Sequence, residues 1–437
     1  MTLLPVALAV GILILLIGWA KVQPFVAFII ASLVAALSLG LPLETIPRSI
    51  ERGIGDMLGS LAIIIGLGAM FGKLIADSGA AQKIAETLMG LFGQRRITLA
   101  MACTGFIVGI PLFYNVGFVL LVPLIFSIVY QAKLPAVYVA IPLLAGLSIA
   151  HGFLPPHPAP AAIITQFGAD MGLTLLYGCI VGIPTLLIAG PLFALTLKGM
   201  KSIPSELFTA TQMSEDRLPS ALNSFLCALL PVMLIAATTA LTHAPGIDAH
   251  FKPLLALIGD PMLVMLVSLV VATITLGIAR GMNFKSLMES YGHVLKDIAL
   301  ILLIVAGAGA LKQVFVDGGV DADLGKLLQH LPIPPLVLGW LIAAIIRIAL
   351  GSATVAGLTA AGIIQPLVMA TGVDKNLMVL AIGAGSLMCS HVNDSGFWMF
   401  KEYFNLSLKD TFRSWTVMET LIGVFGLIFV LILGAWV

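Results

Sequence analysis

The chain has 437 residues, of which 60% are apolar and 10% are charged, and its mean hydropathy is +1.12. A soluble domain carries roughly 25% charged residues, so composition excludes a soluble enzyme, and a net charge of +1 offers no basic face to nucleic acid. Four scattered cysteines form neither a disulfide framework nor a motif: Cys103, Cys179, Cys227 and Cys389. The remaining class is a polytopic membrane protein, with the lipid bilayer as its surroundings.

The first apolar stretch runs from Leu3 to Ala20. It approaches the roughly 20 residues that span a bilayer, and it lacks the basic region and cleavage site of a signal peptide. The chain also lacks the alternating segments of a membrane β-barrel. We therefore predict an all-α polytopic bundle. Further apolar stretches follow at 24–41, 57–75, 97–130, 136–169, 173–197, 220–242, 259–279, 298–315, 335–371, 377–400 and 415–436.

Two of these stretches, 97–130 and 335–371, are too long for one crossing and too short for two crossings with a loop. Each is interrupted near its middle, by GIPLFYN (109–115) and by GSAT (351–354). A long, tilted and kinked helix is one interpretation. We favour re-entrant hairpins, because non-helical backbone at membrane depth is tolerated only where protein or a water-filled cavity covers it.

Two further stretches are predicted to be broken helices. The stretch 136–169 contains HGFLPPHPAP (151–160), whose four prolines cannot all lie within one continuous helix. The stretch 377–400 contains SHVNDSGFW (390–398), which concentrates polar residues inside an apolar segment.

The order of apolar stretches repeats. We predict a first transmembrane repeat at 1–197, a cytoplasmic linker at 198–219 and a second repeat at 220–437. A shift of 240 residues relates the two halves and superposes marker residues. The matching pairs are Asp77 with Asp317 (317 − 77 = 240), Gly117 with Gly357, and His151 with His391.

Basic residues predict the orientation. The segments 76–96, 198–219 and 280–297 each carry three Lys or Arg residues outside the apolar stretches, and we read them as cytoplasmic loops. Each half then has five crossings and one hairpin. Because five is an odd number, the second repeat is inverted relative to the first. Arg48 and Arg52 then fall on the outer side, against the rule.

Inverted repeats with helices broken at mid-membrane are typical of secondary transporters. A channel would more often have a filter loop or several identical subunits. No GxxxxGK[ST] motif is present in the sequence, which argues against an ATP-driven pump. Transport without enzymatic chemistry is therefore the predicted activity.

The breaks hold the candidate substrate-binding residues. A half-helix that begins at a tip directs unpaired N–H groups and a positive dipole end into the membrane, which suits an anion. Glycine permits close approach of a ligand to the backbone, and Ser, Thr and Asn side chains bond carboxylate or hydroxyl oxygens. The candidates are Tyr114, Asn115, His151, Gly351, Ser352, Thr354, Asn393 and Asp394.

Other interpretations stay open for several of these residues. Ser and Thr in membrane helices often bond only their own backbone. His157 is a supporting candidate that could instead cap a broken helix end. Arg347 is expected behind the second tip, where it adds positive potential and could pair with Asp394. Glu419 and Lys312 are read as side chains near span ends that snorkel or pair.

The strings GIPLFYNVGFVLLVPL, AHGFLPPHPAP, RIALGSATVAG and SHVNDSGFW together resemble the gluconate permease family of proton symporters, within the ion transporter superfamily. The resemblance covers nearly the whole chain. It implies import of gluconate or a related sugar acid with protons across the bacterial inner membrane, without a cofactor other than the coupling H⁺. It also implies paired hairpins in two inverted repeats, and a homodimer as in many superfamily members.

The chain departs from the family at Asn115, where many members have an acidic residue. If that acid carries a proton in relatives, another group does so here, or the substrate differs. We therefore rank Asp394 first as the proton-coupling residue and His391 second, since an imidazole titrates near about 6.5. The alternatives are Na⁺ coupling, another small organic anion or a hydroxylated amino acid as cargo, and a passive organic-acid channel.

Overall fold

The computed structural model describes residues 3–200, 202, 213–243, 251–320, 333–392 and 394–437. Within these ranges every regular element is helical, as predicted from the composition. Most of the predicted linker at 198–219 lies outside the described residues, as does Asn393, and the side chain of Asn115 is likewise not described.

The first half consists of helices whose breaks coincide with the interruptions in the sequence. The chain leaves helical geometry at Ile110–Phe113 and again between Phe153 and Pro158, where the prolines cluster. The helices are α1 (Leu3–Ile14), α2 (Pro24–Ser38), α3 (Ile46–Asp77), α4 (Ala80–Phe92), α5 (Ile97–Gly109), α6 (Tyr114–Ala132), α7 (Ala136–Phe153), α8 (Pro158–Phe167), α9 (Met171–Leu187) and α10 (Phe193–Leu195).

The second half is broken at Gly351–Ser352 and between Leu387 and Ser395. A π-helical turn at Phe412–Thr416 leads into its last helix. The helices are α11 (Ala221–His243), α12 (Lys252–Ile258), α13 (Pro261–Ala272), α14 (Phe284–Asp317), α15 (Pro335–Leu350), α16 (Ala353–Thr371), α17 (Lys375–Leu387), α18 (Ser395–Tyr403), α19 (Leu408–Thr411) and α20 (Val417–Gly434).

Seven helical runs among the described residues are long and apolar enough to cross a membrane, and α3 adds an eighth if its two bent parts form one span. In the run Ala136–Phe167, which contains α7 and α8, 94% of an apolar 18-residue window is buried inside the protein. It therefore lies in the centre of the bundle, and its break lies there too.

Three segments predicted as loops are helical instead. The basic segment 76–96 contains α4, whose apolar face (Ala81, Ile84, Leu88) is buried while Lys83 and Glu86 are half-buried. The polar residues before the apolar stretches 57–75 and 298–315 likewise form the first turns of α3 and α14. A segment that carries charged residues still forms a helix when one of its faces is apolar.

The two longest helices, α3 and α14, cross at a pair of glycines. A Cβ atom on Gly53 would lie 2.3 Å from the carbonyl oxygen of Gly309, and a Cβ on Gly309 would lie 2.4 Å from that of Gly53. Only glycine allows the backbones to approach so closely. This contact joins the third helix of the first half to its counterpart in the second half.

Helix bounds follow the predicted shift of 240 residues. The end of α3 at Asp77 corresponds to the end of α14 at Asp317. A shift of α5 gives 337–349, close to α15 at 335–350, and a shift of α6 gives 354–372, close to α16 at 353–371. These three helix pairs agree with the shift, while the repeat of the whole order and its inverted orientation stay predictions.

Candidate functional site

The helix breaks surround one cavity of about 270 Å³. Its walls come from the start of α6, the last turns of α7, the 351–354 segment, the break before α18, and the first turns of the last span. The polar residues that line it are Tyr114, Ser148, His151, Arg347, Ser352, Thr354, Asp394 and Glu419, with Trp415 among its aromatic ones. Segments far apart in the sequence thus contribute to one site.

The 351–354 segment presents a helix N-terminus to this cavity. Gly351 ends α15 with φ +78°, a left-handed conformation that favours glycine, and its N–H donates to the Arg347 carbonyl oxygen at 2.9 Å. Ser352 caps α16, and its Oγ accepts from the N–H of Val355 at 3.3 Å. The first N–H groups of a helix have no intrahelical acceptor, so the start of α16 offers donors to an anion.

Arg347 adds a buried positive charge behind this helix start. Its side chain is 3% exposed and forms an ion pair with Asp394, which is 16% exposed, as the sequence analysis suggested. Only Nη2 takes part: Nε and Nη1 are buried and have no hydrogen-bond partner among the described residues. Buried donors without partners are uncommon, and these belong to a residue that lines the cavity.

Asp394 is held by a network that joins the second break to the last span. Its Oδ1 accepts from the N–H of Gly396 at 2.9 Å, and its Oδ2 accepts from Arg347 and from the Ser390 hydroxyl. Trp415 Nε1 donates to Ser390 Oγ at 2.8 Å. Both oxygens of Asp394 are therefore engaged by donors, and its charge is compensated by Arg347.

An aromatic wall of the cavity combines Tyr114 and His151 of the first half with Trp415 of the second half. The ring centroids of Tyr114 and His151 are 6.3 Å apart, and those of Tyr114 and Trp415 are 6.0 Å apart. The Nδ1 atom of His151 is buried without a hydrogen-bond partner among the described residues. Rings with polar edges on this wall suit the hydroxyl-bearing face of a ligand.

Two predicted residues, His157 and His391, do not line the cavity. The buried His157 bonds the Gly109 carbonyl through Nε2 at 2.8 Å, so it secures the end of α5, in agreement with its alternative interpretation as a cap. His391 lies in the second break, and its Nε2 is 3.0 Å from the Ile348 carbonyl oxygen. Although His151 and His391 match in sequence, only His151 reaches the cavity. Asn393 lies outside the described residues.

Glu419 lies in the site, although its sequence position predicted a snorkelling or paired side chain near a span end. This side chain does not snorkel: it is 2% exposed, it lines the cavity, and its Oε1 accepts from the Ser148 hydroxyl. One signal was available, since Glu419 is the only acidic residue in the apolar stretch 415–436. It also follows Trp415 by four residues, a spacing that puts both on one helix face.

Comparison with known proteins identifies the family. The family model described as GntP family permease matches residues 1–436. The chain belongs to the GntP permease family. Its activity is therefore transport, and with its long apolar helices it is a multi-pass protein of the bacterial inner membrane.

Characterised relatives match along their entire length. A high-affinity gluconate transporter of Escherichia coli K12 is 47% identical over 435 residues, covering 99% of both chains. The Gnt-II system L-idonate transporter of the same organism is 45% identical over 436 residues, covering 100% of this chain and 99% of the relative. A gluconate permease of Bacillus subtilis is 45% identical over 447 aligned positions, covering 99% of both.

Two solved structures share the fold. The YdaH transporter of Alcanivorax borkumensis superposes with a TM-score of 0.66 at 15% identity, covering 95% of this chain and 98% of that chain. MtrF of Neisseria gonorrhoeae, described with a class of antimetabolite efflux pumps, superposes with a TM-score of 0.68 at 15% identity, covering 97% of both. At this identity the similarity is one of fold alone.

Proposed function

We propose that this permease imports gluconate, or a closely related sugar acid, together with protons by alternating access. The observation that carries the proposal is Arg347, which lines a cavity that also receives the start of α16 and whose Nε and Nη1 are buried without a hydrogen-bond partner among the described residues. A positive side chain and a helix N-terminus in one cavity favour a carboxylate. The relatives named for gluconate and L-idonate support a polyhydroxy monocarboxylate as cargo.

In this proposal the substrate carboxylate lies at the 351–354 tip, bound by Ser352, Thr354 and the first N–H groups of α16. The hydroxyl end lies against Tyr114, His151 and the start of α6, where Asn115 belongs to the first turn. A site that hydrogen-bonds several hydroxyl groups discriminates strongly against acids that lack them, because its own polar groups would stay unpaired. Asn393 is kept as a further candidate beside Asp394.

We also propose the inverted-repeat architecture in which 97–130 and 335–371 are re-entrant hairpins. The recurrence of helix bounds at a shift of 240 residues supports two related halves. The tip at 351–352 borders the cavity through Gly351. The first-half break at 110–113 borders it through Phe113, which also lines a neighbouring cavity. Alternating access would then move one half against the other around a fixed site. A homodimer, implied by the family resemblance, is testable by native mass spectrometry.

Uptake by proteoliposomes tests the function. Purified protein is reconstituted with an alkaline interior and an acidic exterior, in Na⁺-free buffer, and labelled gluconate is followed. We expect accumulation above the external concentration, which collapses when a protonophore removes the gradient. Equilibration without accumulation would indicate a channel, and accumulation that needs Na⁺ but no pH gradient would refute proton coupling. Competition by unlabelled L-idonate, galactonate and serine then ranks the cargo classes.

A further inference from the structure

Glu419 occupies a position in the cavity unlike that of any other acidic residue described. Its Oε1 accepts from Ser148 of α7, while its buried Oε2 has no hydrogen-bond partner among the described residues. No ion pair of Glu419 with a basic side chain occurs in the described part of the chain. An ionised carboxylate buried without a partner is costly, whereas its neutral form costs far less.

Asp394, the other acidic residue in the cavity, has the opposite environment. Three donors and the charge of Arg347 engage its oxygens. Protonating Asp394 would break this network and leave Arg347 buried without a counter-charge. Protonating Glu419 at Oε2 would break no observed hydrogen bond, because Ser148 bonds the other oxygen. Of the two, Glu419 can therefore exchange a proton with less disturbance of its surroundings.

The charged and titratable groups around Glu419 come from several elements. Arg347 of α15, Asp394 of the second break and Tyr114 of α6 interact with it electrostatically, and His151 of α7 lines the same cavity. The helices α9 and α17 also pack against α20, but among the described residues they contribute no ionisable side chain to the cavity. The charge of Glu419 therefore acts on the ionisable groups that line the cavity.

We propose that Glu419 carries the coupled proton of the transport cycle, with Asp394 serving as the permanent counter-ion of Arg347. The inference rests on the proposed function. When the cavity opens outward, Glu419 takes a proton from the external solution onto Oε2 and becomes neutral. When it opens inward, Glu419 releases that proton to the cytoplasm and regains its charge.

This arrangement couples the proton to the anion through charge. A neutral Glu419 removes a negative charge from the cavity, so an anionic substrate binds more tightly to the protonated carrier. By linkage, the bound anion favours protonation to the same degree. In the cytoplasm, loss of the proton restores the repulsion and releases the substrate. Proton and sugar acid therefore cross together.

The test is Glu419→Gln in proteoliposomes, assayed both for exchange of labelled gluconate between equal concentrations and for accumulation under a pH gradient. We expect exchange within about three-fold of the unmodified protein and accumulation reduced to equilibration, because Gln keeps the shape and the Ser148 contact but cannot titrate. Gluconate affinity, which should weaken with rising pH in the unmodified protein, should become independent of pH in the variant. Glu289→Gln, on an exposed part of α14, is the matched control and should accumulate normally.

The outcomes separate the two proposals. If the unmodified protein does not accumulate gluconate, the proposed function fails. If it does and Glu419→Gln still accumulates substrate under a pH gradient, the inference about Glu419 is refuted alone. Glu419→Asp is the control for misfolding. It keeps a titratable carboxyl group and should retain pH-driven accumulation at least in part. Loss of exchange in both variants, in protein that still folds, would assign Glu419 to binding and also refute the inference.

Discussion

Arg347 and Asp394, which lie 47 residues apart in the sequence, form a buried ion pair beside the tip between α15 and α16. The pair connects the end of α15 to the broken span before α18, so both interruptions of the second half are tied together at one point. Arg347 uses only Nη2 in this contact, and its Nε and Nη1 have no hydrogen-bond partner among the described residues, so the guanidinium group has donors left for a second acceptor.

Arg347→Lys should retain partial transport, whereas Arg347→Ala should abolish it. Lysine keeps the positive charge but loses the forked geometry that permits two simultaneous contacts. Alanine leaves Asp394 buried without its cation, which costs about 3–5 kcal/mol when a buried pair is broken. Gluconate exchange in proteoliposomes and thermal unfolding measure the two effects. Arg413→Lys, in an exposed position, is the matched control. If Arg347→Lys abolishes transport as completely as Arg347→Ala, the site requires the forked guanidinium geometry, and a positive charge alone is not sufficient.

Ser352→Ala and Thr354→Ala should each weaken gluconate binding by about 1–3 kcal/mol, the effect of losing a hydrogen bond to a charged group. Ser352→Ala also removes the cap of α16, so its unfolding temperature must be measured alongside affinity. Thr371→Ala, at the other end of α16, is the control, because among the described residues the Thr371 hydroxyl bonds only the Leu367 carbonyl of its own helix. Unchanged affinity in folded Ser352→Ala and Thr354→Ala would remove both residues from the site.

Asp394→Asn distinguishes the two candidate proton carriers. If Asp394 carries the proton, as ranked from the sequence, the variant should exchange gluconate but not accumulate it. If Glu419 carries it, the variant should instead lose exchange and accumulation together, since Arg347 is left with an uncompensated charge. Parallel exchange and accumulation assays on the same preparation give the answer: loss of both activities supports Glu419, and loss of accumulation with exchange retained supports Asp394.

Gly53→Ala should destabilise the protein by about 1–3 kcal/mol, the usual cost of inserting a methyl group where no space exists. Its Cβ would meet the Gly309 carbonyl oxygen at 2.3 Å, at the crossing of α3 and α14. Gly55, two residues further along α3, has nothing within 4 Å of the corresponding position. Gly55→Ala should therefore be neutral or slightly stabilising. Equal unfolding temperatures for both variants would contradict the close crossing.

The sequence predicted the helix breaks well because their causes are local. Gly351 takes a left-handed conformation, and the prolines between Phe153 and Pro158 cannot continue a helix, whatever the rest of the chain does. The ion pair of Arg347 with Asp394 was also anticipated, because two opposite charges at membrane depth seldom lie apart.

Other features depend on tertiary packing and could not be read in this way. Glu419 lines the cavity from the last span, which begins after a π-helical turn, and neither the turn nor this placement follows from the apolar pattern. His151 and His391 match in sequence, yet one lines the cavity and the other bonds a backbone carbonyl. Sequence equivalence therefore does not transfer a role between the two halves.

A structure of the protein with bound gluconate tests the central claim most directly. We expect ligand density in the cavity between the 351–354 tip and Tyr114. The carboxylate should lie within hydrogen-bond distance of Ser352, Thr354 or the first N–H groups of α16. The hydroxyl groups should extend toward the aromatic wall. Gluconate bound elsewhere in the protein, or bound in the cavity with its carboxylate directed away from Arg347 and the start of α16, would contradict it.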